Sequence, residues 1–157
     1  MHGASDGSVD RDHNIPGSRA VAANPKRMAA ECFQRLQPPY YLDESRRECV
    51  LDSVLERCSN RGWSLLAVHV RTNHVHVLVD AEARPERVMN DLKSYASRLL
   101  NKLGFDEPDR KRWARHGSTR WLWSREQVSA ALEYVIDKQG CPMAVYERKP
   151  LPAVAAR

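Results

Sequence analysis

Trp63-Ser64-Leu65-Leu66-Ala67-Val68-His69-Val70, then Arg71-Thr72-Asn73, then His74-Val75-His76-Val77-Leu78-Val79, is the most informative stretch of the chain. Both outer runs are apolar and rich in β-branched residues, and three residues between them suit a hairpin loop. Two antiparallel strands are expected, Trp63 to Val70 and His74 to Val79. In the second, the period of two sends Val75, Val77 and Val79 into a core and puts His74 and His76 together on the opposite face.

Helices flank this hairpin. On its N-terminal side Asp43 is a plausible N-cap, and Val50, Leu51, Val54, Leu55 and Cys58 form a stripe of helical period that ends at Asn60-Arg61-Gly62. On its C-terminal side Pro85 opens a helix from Glu86 to Leu103, with Val88, Leu92, Tyr95, Leu99 and Leu103 on one face. A charged loop over 105–118 leads to a short strand, Thr119 to Trp123, with Trp121 and Trp123 on one side, at least one of them packing on the sheet. Ser124-Arg125-Glu126-Gln127 then opens a third helix whose core face is Val128, Ala131, Leu132, Val135 and Ile136, closed by Gly140 and Pro142. Residues 1–41 read as mostly coil, with a short helix from Lys26 to Leu36, and 144–157 as a Pro- and Ala-rich tail. The order helix, strand, strand, helix, strand, helix is α+β. It matches a ferredoxin-like antiparallel sheet with helices on one face, except that the strand expected ahead of the first helix is missing.

The 157 residues suit a single domain. No apolar run approaches the length of a membrane span, and the N-terminus lacks the basic and apolar regions of a secretory signal, so a cytoplasmic protein with no membrane partner is expected. Cys32, Cys49, Cys58 and Cys141 fit no zinc-ribbon spacing and read as reduced thiols. The net charge of +5 is unevenly spread: between Arg84 and Arg125 eleven cations face five acids, so this window alone carries +6. Such a concentration is the footprint of a polyanion partner, or else a solvated surface without one.

The chemistry rests on three elements. His74 and His76 have the spacing of two ligands on one metal ion; the alternative is a polar sheet face that merely carries two imidazoles. Tyr95 lies on a core stripe and reads as packing. Tyr134 lies about 120° from the centre of its helix's core face, by ~100° per residue, and so reaches sideways over the sheet. A phenol needs a polarised electrophile to act as a nucleophile, and a divalent ion on a phosphate oxygen supplies that polarisation. Gln139 offers a carbonyl as third ligand.

Asn73-His74-Val75-His76-Val77-Leu78-Val79, Leu92-Lys93-Ser94 and Tyr134-Val135-Ile136-Asp137-Lys138-Gln139-Gly140 together resemble the single-tyrosine HUH transposases, the insertion-sequence enzymes of single-stranded DNA and their repeat-associated cousins. The resemblance runs from about Leu42 to Met143, giving a transposase-like domain over 42–143. It implies that His74, His76 and Gln139 bind Mg²⁺ or Mn²⁺. It also implies that Tyr134 attacks a DNA phosphate, leaving a 5′-phosphotyrosine and a free 3′-hydroxyl. The family's usual Gln follows the Tyr by one helical turn. Here it follows by five residues, so Gln139 joins the site only if the helix unwinds before Gly140. The implied partner is single-stranded DNA bearing a hairpin, and a homodimer is one arrangement the resemblance admits.

Lys93, Arg112, Trp113, Arg115 and Arg120 are the expected nucleic-acid contacts, since phosphate neutralisation with aromatic stacking is a common way to hold single strands. The other functional class is a catalytically inactive remnant that only binds single-stranded DNA; an unrelated metalloenzyme would need acidic ligands beside the histidines. In the resembled family the opening strand pairs beside the histidine strand. Its absence here leads us to expect an N-terminally truncated chain, poorly stable unless its own N-terminal segment or a partner supplies a strand.

Overall fold

A computed structural model describes residues 37–115 and 117–149. Six elements follow in order: α1 (Glu44–Arg61), β1 (Ser64–Val70), β2 (Val75–Asp80), α2 (Pro85–Lys102), α3 (Arg125–Ile136) and β3 (Ala144–Glu147). The fold is α+β. The helix expected over Lys26 to Leu36, and any strand ahead of α1, lie outside the described residues.

α1 starts where Asp43 accepts the Arg46 backbone N–H at 2.9 Å and ends at Gly62, whose φ of +67° lets its N–H return to the carbonyls of Cys58 and Ser59. β1 and β2 form the expected antiparallel hairpin, with His69 directly across from His76 and a bulge between Leu65 and Ala67. β3 pairs antiparallel with the other edge of β1, giving the order β2-β1-β3. This strand falls in the stretch read from sequence as tail. Four residues alternating between half-buried and exposed carry too little pattern to stand out, and their partner lies more than seventy residues away.

β1 is central and covered on both faces, which is why Ala67, Val68, His69 and Val70 are all fully buried. On one face Val68 and Val70, with Val75, Val77 and Val79 of β2, pack against α1 and α2. On the other, Ala67 and Leu78 pack against Val135 and the expected core face of α3. The expectation of helices on one face thus holds for α1 and α2, while α3 covers the opposite side.

Two further expectations are corrected. The buried face of α2 is Val88, Leu92, Ala96 and Leu100, not the stripe through Tyr95, Leu99 and Leu103; Leu103 is exposed and Tyr95 lies between the guanidinium groups of Arg57 and Arg98. Repeated steps of four follow the side that meets α1, and the small Ala96 permits close approach there. Thr119 to Trp123 is not a strand. Its groups bond to side chains instead: Thr119 donates to Glu86 of α2, and the Trp123 N–H donates to Gln127 Oε1 at 2.7 Å. Cys49, Cys58 and Cys141 are free thiols, and burial pushes Cys58 up to about 11.

Candidate active site

The site forms where β2, α3 and the turn after α3 meet. His74 ends the hairpin loop, its carbonyl accepting the Arg71 N–H, and His76 follows within β2. Their rings stand edge to face with centroids 4.9 Å apart. Tyr134, half exposed on α3, sets its ring edge to face against His76 at 5.4 Å. The helical-wheel position that takes Tyr134 out of the core therefore delivers it to the histidine face of the sheet.

Gln139 reaches the same place because α3 ends early. Asp137 is its C-cap, a turn follows, and Gly140 takes φ +75°. The Gln139 amide nitrogen donates to the Tyr134 carbonyl at 3.2 Å, which turns Oε1 towards His74 Nε2, 3.5 Å away. Arg71 secures this turn through a 2.8 Å hydrogen bond to the Cys141 carbonyl.

The donor chemistry suits a cation. Asn73 Oδ1 can only accept, so at 2.7 Å it draws the His74 proton to Nδ1 and leaves the Nε2 lone pair facing Gln139 Oε1. His74 Nε2 and Gln139 Oε1 lie 3.5 Å apart. His76 is also held as a neutral donor: burial, followed by the neighbouring His74, brings it down to about 4. Two neutral imidazoles and a carbonyl oxygen are a set that a divalent ion accepts. Among the described residues no group of three or more His, Cys, Asp or Glu side chains gathers to hold a metal.

A third histidine supports the arrangement. His69 is fully buried on β1, with Nδ1 2.9 Å from the Val135 carbonyl and Nε2 accepting the Met143 N–H at 3.2 Å. A carbonyl only accepts and an amide N–H only donates, so the Nδ1–H tautomer is fixed. One ring thereby ties the residue next to Tyr134 to the central strand and to the approach of β3. The available signal was a lone histidine inside the most apolar run of the sequence. Asn73, the partner of His74, had no signal beyond adjacency.

A family model described as "Transposase IS200 like" matches residues 40–136, from the approach to α1 through the tyrosine helix. The chain belongs to the IS200-like transposase family. No curated protein and no solved structure matches it. The family match includes His74, His76 and Tyr134 and stops short of Gln139.

The expected nucleic-acid contacts of this transposase divide sharply. Arg112 is a structural residue: its side chain is 2% exposed, and it binds Asp106 at 3.0 Å and Asn101 at 2.6 Å. This buried network leaves the Arg112 guanidinium little free surface to offer a phosphate. Trp113 is half-buried against the main core and donates to Ser97. Lys93 donates to the Ala114 carbonyl, and burial pushes its ammonium down. Arg115 and Arg120 are exposed. No helix among the described residues is long and apolar enough to cross a membrane.

Proposed function

We propose that this transposase nicks and rejoins single-stranded DNA in a metal-dependent reaction through a covalent intermediate on Tyr134. The observation that carries the reading is the meeting of Tyr134 with His76 at 5.4 Å, beside His74 and Gln139 Oε1 at 3.5 Å. Tyr134 Oη attacks a backbone phosphorus and the P–O3′ bond breaks. The phenol gives up its proton and the departing 3′-oxygen gains one. The DNA is left with a 5′-phosphate joined to tyrosine and a free 3′-hydroxyl, and attack by another 3′-hydroxyl reverses the step and rejoins the strands.

His74, His76 and Gln139 would hold Mg²⁺ or Mn²⁺, whose Lewis acidity draws charge from the scissile phosphate. Neutral His76 keeps its lone pair at pH 7. Asn73 orients His74, the Gln139–Tyr134 hydrogen bond couples the third donor to the nucleophile's own backbone, and His69 holds α3 in register with β2. Tyr134 stays half exposed, open to a strand arriving from solvent.

The test is incubation of the full chain with Mg²⁺ or Mn²⁺ and hairpin-bearing single-stranded DNA. A denaturation-resistant protein–DNA adduct is expected, absent in Tyr134→Phe and after chelation. Binding without an adduct under every metal condition would instead mark a catalytically inactive single-strand binder.

A further inference from the structure

Trp121 and Trp123 lead into α3, and neither indole enters the core: Trp121 is 50% and Trp123 79% exposed. Their rings stack on each other with centroids 5.3 Å apart and planes 18° from parallel. The backbone beneath them is anchored. Leu122, between them, packs into the cluster under α3, and the Trp123 N–H is held by Gln127. Alternation along an extended segment thus drives one residue in and both indoles out, on a support with little freedom. Arg120 and Arg125, both exposed, flank the pair.

The pair is also aligned with the nucleophile. Positions 123, 127, 130 and 134 recur at helical spacing, so an uncharged line on α3, Gln127 with Ala130, runs from Trp123 to Tyr134. Glu126 and Glu133 fall on the other flank, where they repel phosphates. From the N-cap Ser124, which follows Trp123, to Tyr134 the axis runs about 15 Å at ~1.5 Å per residue, the length of about four to five stacked nucleotides at ~3.4 Å each.

We propose that the stacked Trp121–Trp123 pair is a base-stacking platform for single-stranded DNA, taking a nucleobase about four to five nucleotides from the phosphate at Tyr134. This rests on the single-strand reading given above. The outer face of a preformed indole stack binds any base through its π-face, while Arg120 and Arg125 meet the adjoining phosphates. The contact tolerates sequence and adds affinity without adding charge.

The experiment measures binding of the full chain to fluorescein-labelled dT20, and to an abasic strand of equal length, by anisotropy across a salt series. Trp123→Ala and the double change Trp121→Ala with Trp123→Ala should weaken dT20 binding roughly 5- to 150-fold. Trp123→Phe should keep most of the affinity. The slope of log K against log salt should stay unchanged in all three, and the abasic strand should bind wild type and variants alike. Equal affinity of wild type and the double variant for dT20, or an equal loss on the abasic strand, would overturn the platform. Self-association of the wild type abolished by Trp123→Ala, with dT20 binding intact, would reassign the indoles to a protein interface and overturn it too. Failure of the wild type to bind dT20 at low salt is a different result, since it removes the single-strand reading itself.

Discussion

His69 shows how much one buried ring can settle. It satisfies the Val135 carbonyl and the Met143 N–H at once, so His69→Ala leaves one buried and one partly buried backbone group without partners. At about 1–3 kcal/mol for each orphaned group, the variant should lose about 2–5 kcal/mol in urea unfolding, and His69→Gln, which can donate and accept, should recover part of it. Adduct formation should also slow more in His69→Ala than in a comparably destabilised core variant such as Val54→Ala, because only the former loosens the tyrosine helix. At the histidine pair, Mn²⁺ titration should show at least tenfold weaker binding in His76→Ala and a smaller loss in Asn73→Ala, which removes the partner orienting His74. Identical titrations of wild type and His76→Ala would reject the site.

The elements depend on their terminal residues and on one acidic junction. Gly62 closes α1 in the left-handed region, so Gly62→Ala should cost about 1 kcal/mol and lower the melting temperature by several degrees. The loop after α2 is gathered on Asp106, which accepts from Tyr40, Arg46 and Arg112. Burial alone would raise its pKa, but those three hydrogen bonds outweigh it and hold the carboxyl below its usual value. A depressed folded-state pKa contributes stability that is complete above the unfolded value, near ~3.9, and is lost as pH falls through the folded value. The wild type should therefore lose stability below about pH 4. Asp106→Asn should start less stable at pH 7 and show a flatter acid limb, readable in melts across pH 2–7.

Across the whole molecule the +6 window does two different jobs. Arg112, saturated by Asp106 and Asn101, assembles the loop, whereas Arg115 and Arg120 face solvent. Arg115→Ala and Arg120→Ala should each reduce the salt slope of single-strand binding by about 0.7. Arg112→Ala should leave the slope alone and lower the melting temperature. A slope that falls with Arg112→Ala and ignores the other two would place the DNA elsewhere on the surface.

The sequence by itself determined the hairpin, three helices and the face shared by His74 and His76. Each is written in a local period, two for strands and 3.6 for helices, that covalent geometry imposes on amphipathic segments. The sideways reach of Tyr134 was legible for the same reason. Only the tertiary structure decided what depends on distant partners. β3 exists as a strand because β1 offers it an edge; Val145 and Tyr146 favour extension, but four residues are too few to declare a strand unaided. Gln139 reaches His74 because α3 stops at Ile136 and its amide turns back to Tyr134, the condition that its five-residue spacing from Tyr134 set but could not decide. Arg112 and Arg120 look alike in a charge count. One is buried by an acid six residues away and an amide eleven away, while the other stands in water beside two stacked indoles. Charge is a property of the residue; its availability is a property of the packing around it.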